Sequence, residues 1–118
     1  MNEAVIARAS ALFASLSNPT RLRITELLCE QPLSVNEICK RLDLGQSATS
    51  QNLAVLVKSG LLAVEPQGNL RVYRVRGPRI GRILTMIDEF CAIHALYGDP
   101  EAEREVQLVE QSEAVDAE

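Results

Sequence analysis

A mainly helical chain with one small β-hairpin, in the order helix, helix, helix, helix, hairpin, helix, is what this sequence predicts. Three observations carry that reading. Apolar residues recur at steps of three and four through most of the chain; Asn, Pro, Ser and Gly stand where such stretches begin or end; and the one β-rich stretch, residues 61–75, has a Gly near its middle. At 118 residues and 47% apolar content the chain is long enough for one compact domain. No run of about 18 apolar residues is available to span a membrane.

Val5, Ala9, Leu12, Phe13 and Leu16 set the first helix at about Glu3 to Leu16. Asn18 is a good N-cap and Pro19 a good first helical residue, so a second helix runs to about Cys29 and buries Ile24, Leu27 and Leu28. Gln31-Pro32 ends it. Ser34 and Glu37 have capping-box spacing, and Val35, Ile38, Cys39 and Leu42 share one face of a short third helix ending near Asp43. Leu44-Gly45 leads into a fourth helix, about Gln46 to Ser59, with Thr49, Leu53 and Leu56 on one face and Gly60 as its stop.

Leu61–Val64 and Leu70–Val75 read as strands joined through Pro66-Gln67-Gly68-Asn69. After Gly77-Pro78, Ile80, Ile83, Leu84, Ile87, Phe90, Cys91 and His94 mark a last long helix to about Tyr97. Its apolar stripe exceeds what so small a body can cover, which predicts pairing with a second copy. Val5, Leu12 and Leu16 of the first helix with Ile80, Leu84, Ile87 and Cys91 of the last form the expected homodimer face. Asp99-Pro100-Glu101 can start a further helical segment to about Gln111, with an unstructured acidic remainder. Helices three and four are joined by a turn of about three residues and followed by a hairpin. That is a winged helix-turn-helix, expected as domain 1–98 with an acidic extension over 99–118.

The formal charge of −4 is unevenly spread. Through residue 98 there are 11 Lys and Arg against 8 acids, whereas beyond it Arg104 faces 8 acids. Within residues 46–82, Lys58, Arg71, Arg74, Arg76, Arg79 and Arg82 stand against Glu65 alone. A basic face therefore survives next to the fourth helix, whose polar side carries Gln46, Ser47, Ser50 and Gln51. These short polar side chains are poor interior helix formers but can donate and accept hydrogen bonds at base edges in the DNA major groove.

Asn18-Pro19 with Arg21-Leu22, Gln46-Ser47 with Ser50-Gln51 and Leu53, Ser59-Gly60-Leu61 and Tyr73-Arg74 together resemble the arsenic-repressor (ArsR/SmtB) family of dimeric bacterial transcription repressors. The likeness covers roughly residues 9–91. It implies a repressor that binds a double-stranded, inverted-repeat operator as a homodimer, with Gln46, Ser47, Ser50, Gln51 and Asn52 in the major groove. Where the family usually has His, this chain has Asn52, and where it usually has basic residues, Ala54 and Val57. Phosphate contacts then lean on Lys58 and on Arg71 of the wing.

The resemblance also implies three kinds of effector site. The arsenic-type cysteine set falls on Ser34, Asn36 and Cys39, so two of three thiols are missing, and Cys39 also fits a small buried hydrophobe. The zinc-type set on the last helix meets Asp88 and Phe90 with no second histidine. Cys91 resembles the C-terminal cysteine of the family's thiol-based sulfide and redox sensors, which pairs with a second-helix cysteine. Cys29 offers such a thiol one turn, about 5.4 Å, further along than the resemblance implies. Packing is the competing reading of both. A metal reading stands beside these, since Asp88, Cys91 and His94 lie at i, i+3 and i+6 over about 9 Å of helix. The candidate effectors are thus a reactive sulfur species, an oxidant or a metal, beside the alternative of no small-molecule sensor, and no cofactor is expected.

An enzyme is not expected. Cys91 and His94 could form a nucleophile and base, but no orienting third group, phosphate loop or oxyanion element accompanies them. A winged helix that binds only proteins is the other class to separate from DNA binding. With no signal-peptide pattern at the start and three cysteines that form no evident disulfide framework, the expected compartment is the cytoplasm.

Overall fold

The computed structural model describes residues 1–94 and 100–116. The elements are α1 (Glu3–Leu16), α2 (Pro19–Glu30), β1 (Leu33–Ser34), α3 (Val35–Leu42), α4 (Gln46–Lys58), β2 (Leu62–Gln67), β3 (Leu70–Val75), α5 (Arg79–Ile93) and α6 (Pro100–Asp116). They form two compact units, Met1–Gly81 and Arg82–Glu118.

In the first unit the starts of α2 and α3 are specified by side-chain caps. Asn18 Oδ1 accepts from the Arg21 N–H at 3.1 Å, with Pro19 in the first turn. Ser34 and Glu37 make the expected capping box: the Glu37 N–H donates to Ser34 Oγ at 3.3 Å and the Ser34 N–H to Glu37 Oε1 at 3.1 Å. The Ser34 N–H, and after it the Ser34 hydroxyl, hold the Glu37 carboxyl below its ordinary value, with Arg41 and Lys40 adding to the effect. Asp43 closes α3 in the left-handed region, φ 53°, its N–H donating to the Cys39 carbonyl.

The sheet has three antiparallel strands in the order β1-β3-β2. β1 is an addition to the expected hairpin: Leu33 pairs with Tyr73 and Ser34 with Val72. β2 runs to Gln67 instead of stopping at Val64, so the turn contracts to Gly68-Asn69 with Gly68 at φ 61°. Pro66 is tolerated inside the strand because β2 is an edge strand.

Ile24, Leu28, Leu33, Ile38, Leu53, Leu56 and Leu62 are buried where the helices meet the sheet. Burying such side chains contributes about 1.5–3 kcal/mol each. Leu27 is only half-buried, while Thr25, two positions earlier, is fully buried. The buried hydroxyls are satisfied within their own helices, Thr25 Oγ1 donating to the Arg21 carbonyl at 2.9 Å and Thr49 Oγ1 to the Gly45 carbonyl at 2.7 Å.

Leu16 and Ile80, expected at a dimer face, are instead core residues, 7% and 8% exposed. They close the end of the first unit's own core, so the unspent apolar surface lies elsewhere. On α5 it is Ile83, Met86, Ile87, Phe90 and Ile93; on α1 it is Val5, Ile6 and Phe13. The expected end of the last helix near Tyr97 lies outside the described residues. In the second unit α6 continues to Asp116, past the expected end at Gln111 and into the stretch expected to lack structure. No Gly or Pro interrupts residues 101–116, and its Ala, Glu and Gln are good helix formers.

Candidate nucleic-acid interface

α3, the turn Asp43-Leu44-Gly45 and α4 build the helix-turn-helix. Thr49, Leu53 and Leu56 are fully buried, which fixes the roll of α4 about its axis. The opposite face is thereby forced outward: Gln46, Ser47, Ser50, Gln51 and Lys58 are all exposed, with Ala54 between them. None of these side chains is engaged in a hydrogen bond within the protein, and Gly45 caps α4 without a side-chain bond. The first N–H groups of α4 thus stay available, as at helix ends that meet phosphate.

Asn52 differs from its neighbours. It is half-buried at the edge of the stripe, and its Oδ1 accepts from the Arg21 guanidinium at 3.3 Å. Arg21 also donates through Nε to the Ser15 carbonyl at 2.5 Å and through its second terminal nitrogen to the Ala14 carbonyl at 3.5 Å. Sequence reasoning missed this role. The available signal was that α1 has no basic residue in its last turn, so a cation at its carbonyl end has to come from elsewhere in the chain; the Ala14 carbonyl also accepts from the Ser17 hydroxyl at 2.8 Å.

On the wing, Arg71 is exposed at the register position opposite Pro66. Arg74 is bound to Glu65 of the neighbouring strand at 2.6 Å. Gly60, at φ 87°, turns the chain from α4 into the sheet in a conformation that L side chains rarely adopt.

The three thiols are free. Cys29 is half-buried, its sulfur 3.9 Å from where a Cβ on Gly81 would stand. Burial, reinforced by the Glu26 carboxylate, pushes its pKa up, so it stays protonated at neutral pH. Cys39 is half-buried and Cys91 is exposed. Asp88 and Cys91 on α5 and His94 just after it do not converge: among the described residues no group of three His, Cys, Asp or Glu could hold a metal ion. The His94 ring lies against Phe90, centroids 4.4 Å apart. Among the described residues no helix is long and apolar enough to cross a membrane.

Comparison with known proteins places these features in a family. The family model described as "Bacterial regulatory protein, arsR family" matches residues 18–64, from the N-cap of α2 into β2. The HTH-type transcriptional regulator Rv0081 of Mycobacterium tuberculosis is 37% identical over 75 residues, 63% of this chain and 66% of the relative. Just under two thirds of that protein is therefore spanned. The transcriptional activator HlyU of Vibrio cholerae is 32% identical over 91 residues, 77% of this chain and 79% of HlyU. A solved HlyU structure superimposes with a TM-score of 0.68 over 75% of this chain and 97% of that one, at 30% identity. The arsenical resistance operon repressor of Escherichia coli is 43% identical over 65 residues, 54% of this chain and 56% of the repressor. A winged helix-turn-helix with an outward polar face on α4, matched to these relatives, leaves one assignment: the chain belongs to the arsR family of bacterial regulatory proteins.

Proposed function

We propose that this protein is a DNA-binding transcriptional repressor that holds an inverted-repeat operator as a homodimer. One observation carries the reading: the buried Thr49, Leu53 and Leu56 turn Gln46, Ser47, Ser50 and Gln51 together toward solvent. Ser and Gln suit base edges, Ala54 in their midst suits a thymine methyl, and the Asn52 amide NH2 extends the set. Lys58 and Arg71 meet phosphates on either side. Two copies meet through α1 and the exposed stripe of α5, which sets their reading helices about one DNA turn, roughly 34 Å, apart. HlyU is named an activator and the E. coli relative a repressor, so the sign of regulation is part of the test.

The test is selection of binding sites from a random DNA pool, followed by transcription from a promoter carrying the selected site. The expected outcome is an enriched inverted repeat, affinity that falls steeply with salt, and reduced transcription. Failure to enrich any sequence, with salt-insensitive binding to a protein instead, overturns the reading in favour of an interaction module.

The exposure of Cys91 favours a finer reading, in which thiol chemistry releases the DNA. Cys91 attacks a peroxide and becomes a sulfenic acid with loss of water, or attacks a polysulfide and becomes a persulfide as the shortened polysulfide leaves; Cys29 then displaces water or hydrogen sulfide from the Cys91 sulfur, joining the two cysteines by a disulfide. Intact mass after each reagent, read beside DNA release for Cys29→Ser and Cys91→Ser, tests it. Release that persists in both variants overturns it, and release of the parent by zinc or arsenite, abolished in His94→Ala, moves the effector to a metal.

A further inference from the structure

We propose that Arg21 is a positioning residue that locks the reading helix to α1 and thereby sets how strictly the protein measures the spacing between operator half-sites. The inference rests on the DNA-binding reading of α4. Arg21 lies in the first turn of α2, yet its guanidinium serves the two helices on either side. Nε and one terminal nitrogen reach the Ser15 and Ala14 carbonyls at the end of α1, at 2.5 and 3.5 Å. The other terminal nitrogen reaches Asn52 Oδ1 on α4 at 3.3 Å.

Three features make this a device rather than a surface contact. The end of α1 carries partial negative charge and no basic residue of its own in its last turn, so the guanidinium supplies the missing cation. The backbone at Arg21 is itself pinned, its N–H by Asn18 and its carbonyl by the fully buried Thr25 hydroxyl. Beside the clamp, residues of α1 and α4 line an open groove of about 390 Å³, formed by Ala11, Ala14, Ser15, Val55, Lys58 and Ser59. Among the described residues no other side chain hydrogen-bonds to both helices.

The consequence is geometric. Base recognition by Ser50 and Gln51 needs only α4, but the distance between two reading helices depends on how each α4 sits on the α1 that meets the other copy. A planar fork holds three acceptors at fixed angles, and an ammonium cannot. Arg21→Lys keeps the charge at the end of α1 and gives up the fork.

The experiment compares the full-length parent, Arg21→Lys, Asn52→Ala and the double variant on three duplexes: the selected inverted repeat, the same half-sites with one base pair inserted between them, and a single half-site. Thermal unfolding is followed in parallel. The parent is expected to disfavour the inserted duplex about tenfold, the scale of one charged hydrogen bond. Each single variant should bring that ratio to about twofold, Arg21→Lys should leave half-site affinity unchanged, and the double variant should fall no further than the worse single. Variants that keep the tenfold ratio overturn the inference whether or not their unfolding temperature drops. So does an Arg21→Lys loss that is equal on all three duplexes. A parent that selects no sequence overturns the DNA-binding reading itself, which separates the two failures.

Discussion

Arg74 lays its guanidinium on Glu65 across the β2–β3 pair, Nε 2.6 Å from the carboxylate oxygen. The two side chains remain 41% and 49% exposed, so the bond contributes little to stability. Its effect is on the charge of the wing. Glu65 lies opposite Val72 and Arg74 opposite Ala63, so the pair spans a diagonal of the ladder and cancels one cation there. Arg71, nearer the tip, has no such counterpart across the strand.

Arg71→Ala is therefore expected to weaken binding to selected and random DNA alike and to reduce the salt slope by about one ion. Arg74→Ala should change the slope less, and Glu65→Gln should strengthen binding. Titrations by fluorescence anisotropy over a range of KCl concentrations check all three. An Arg74→Ala loss as large as that of Arg71→Ala contradicts the pairing argument.

Ser50→Ala and Gln51→Ala should each cost about 1–3 kcal/mol on the selected site and little on random DNA. The ratio of the two affinities is the measurement. Equal losses on both mean that α4 touches backbone only.

Ile87→Glu with Phe90→Glu should give a monomer at micromolar concentration, because both side chains belong to the exposed stripe of α5 and neither lies in the core. Sedimentation velocity checks it, and affinity for the full repeat should drop to that of a half-site. A dimer that survives both charges places the interface elsewhere.

Asp43 holds a left-handed conformation that costs most side chains about 1 kcal/mol or more and glycine none. Asp43→Gly is expected to raise stability by up to about 1 kcal/mol, and Asp43→Val to lower it by about 1–2 kcal/mol. Urea unfolding monitored by circular dichroism decides, and a stabilised Val variant contradicts the assignment.

The Glu37 carboxyl is held below its ordinary value by the Ser34 bonds. A depressed acid contributes stability that is whole above its unfolded value and is lost as pH falls through the folded one. Parent and Glu37→Gln should therefore differ most at neutral pH and converge on acidification below the carboxylate range. A gap that widens in acid reverses the sign and refutes the account.

Local chemistry explains what was legible in the sequence. Asn18-Pro19, Ser34 with Glu37, and Gly60 specify helix ends by bonds within three or four residues, so α1 to α4 fall almost where they are expected. β1 was not legible because two residues have no period, and Leu33–Ser34 is a strand only through β3, nearly 40 positions away. Leu16 and Ile80 carry the same apolar signal as Phe13 and Ile87, and only the packed chain separates core from leftover surface. The reading stripe of α4 was visible as a pattern. Arg21 was not, since its three acceptors come from two other helices.

Ser34 ends β1 and caps α3 with the same few atoms. A wing that tilts on the DNA cannot do so without tugging the first turn of the helix-turn-helix, so hairpin and reading unit should open as one cooperative block in hydrogen exchange. The amides of Val72 and Tyr73 are then expected to exchange at the pace of those in α3. In the proposed DNA-bound dimer, contact made at the wing tip is then a load felt by α3.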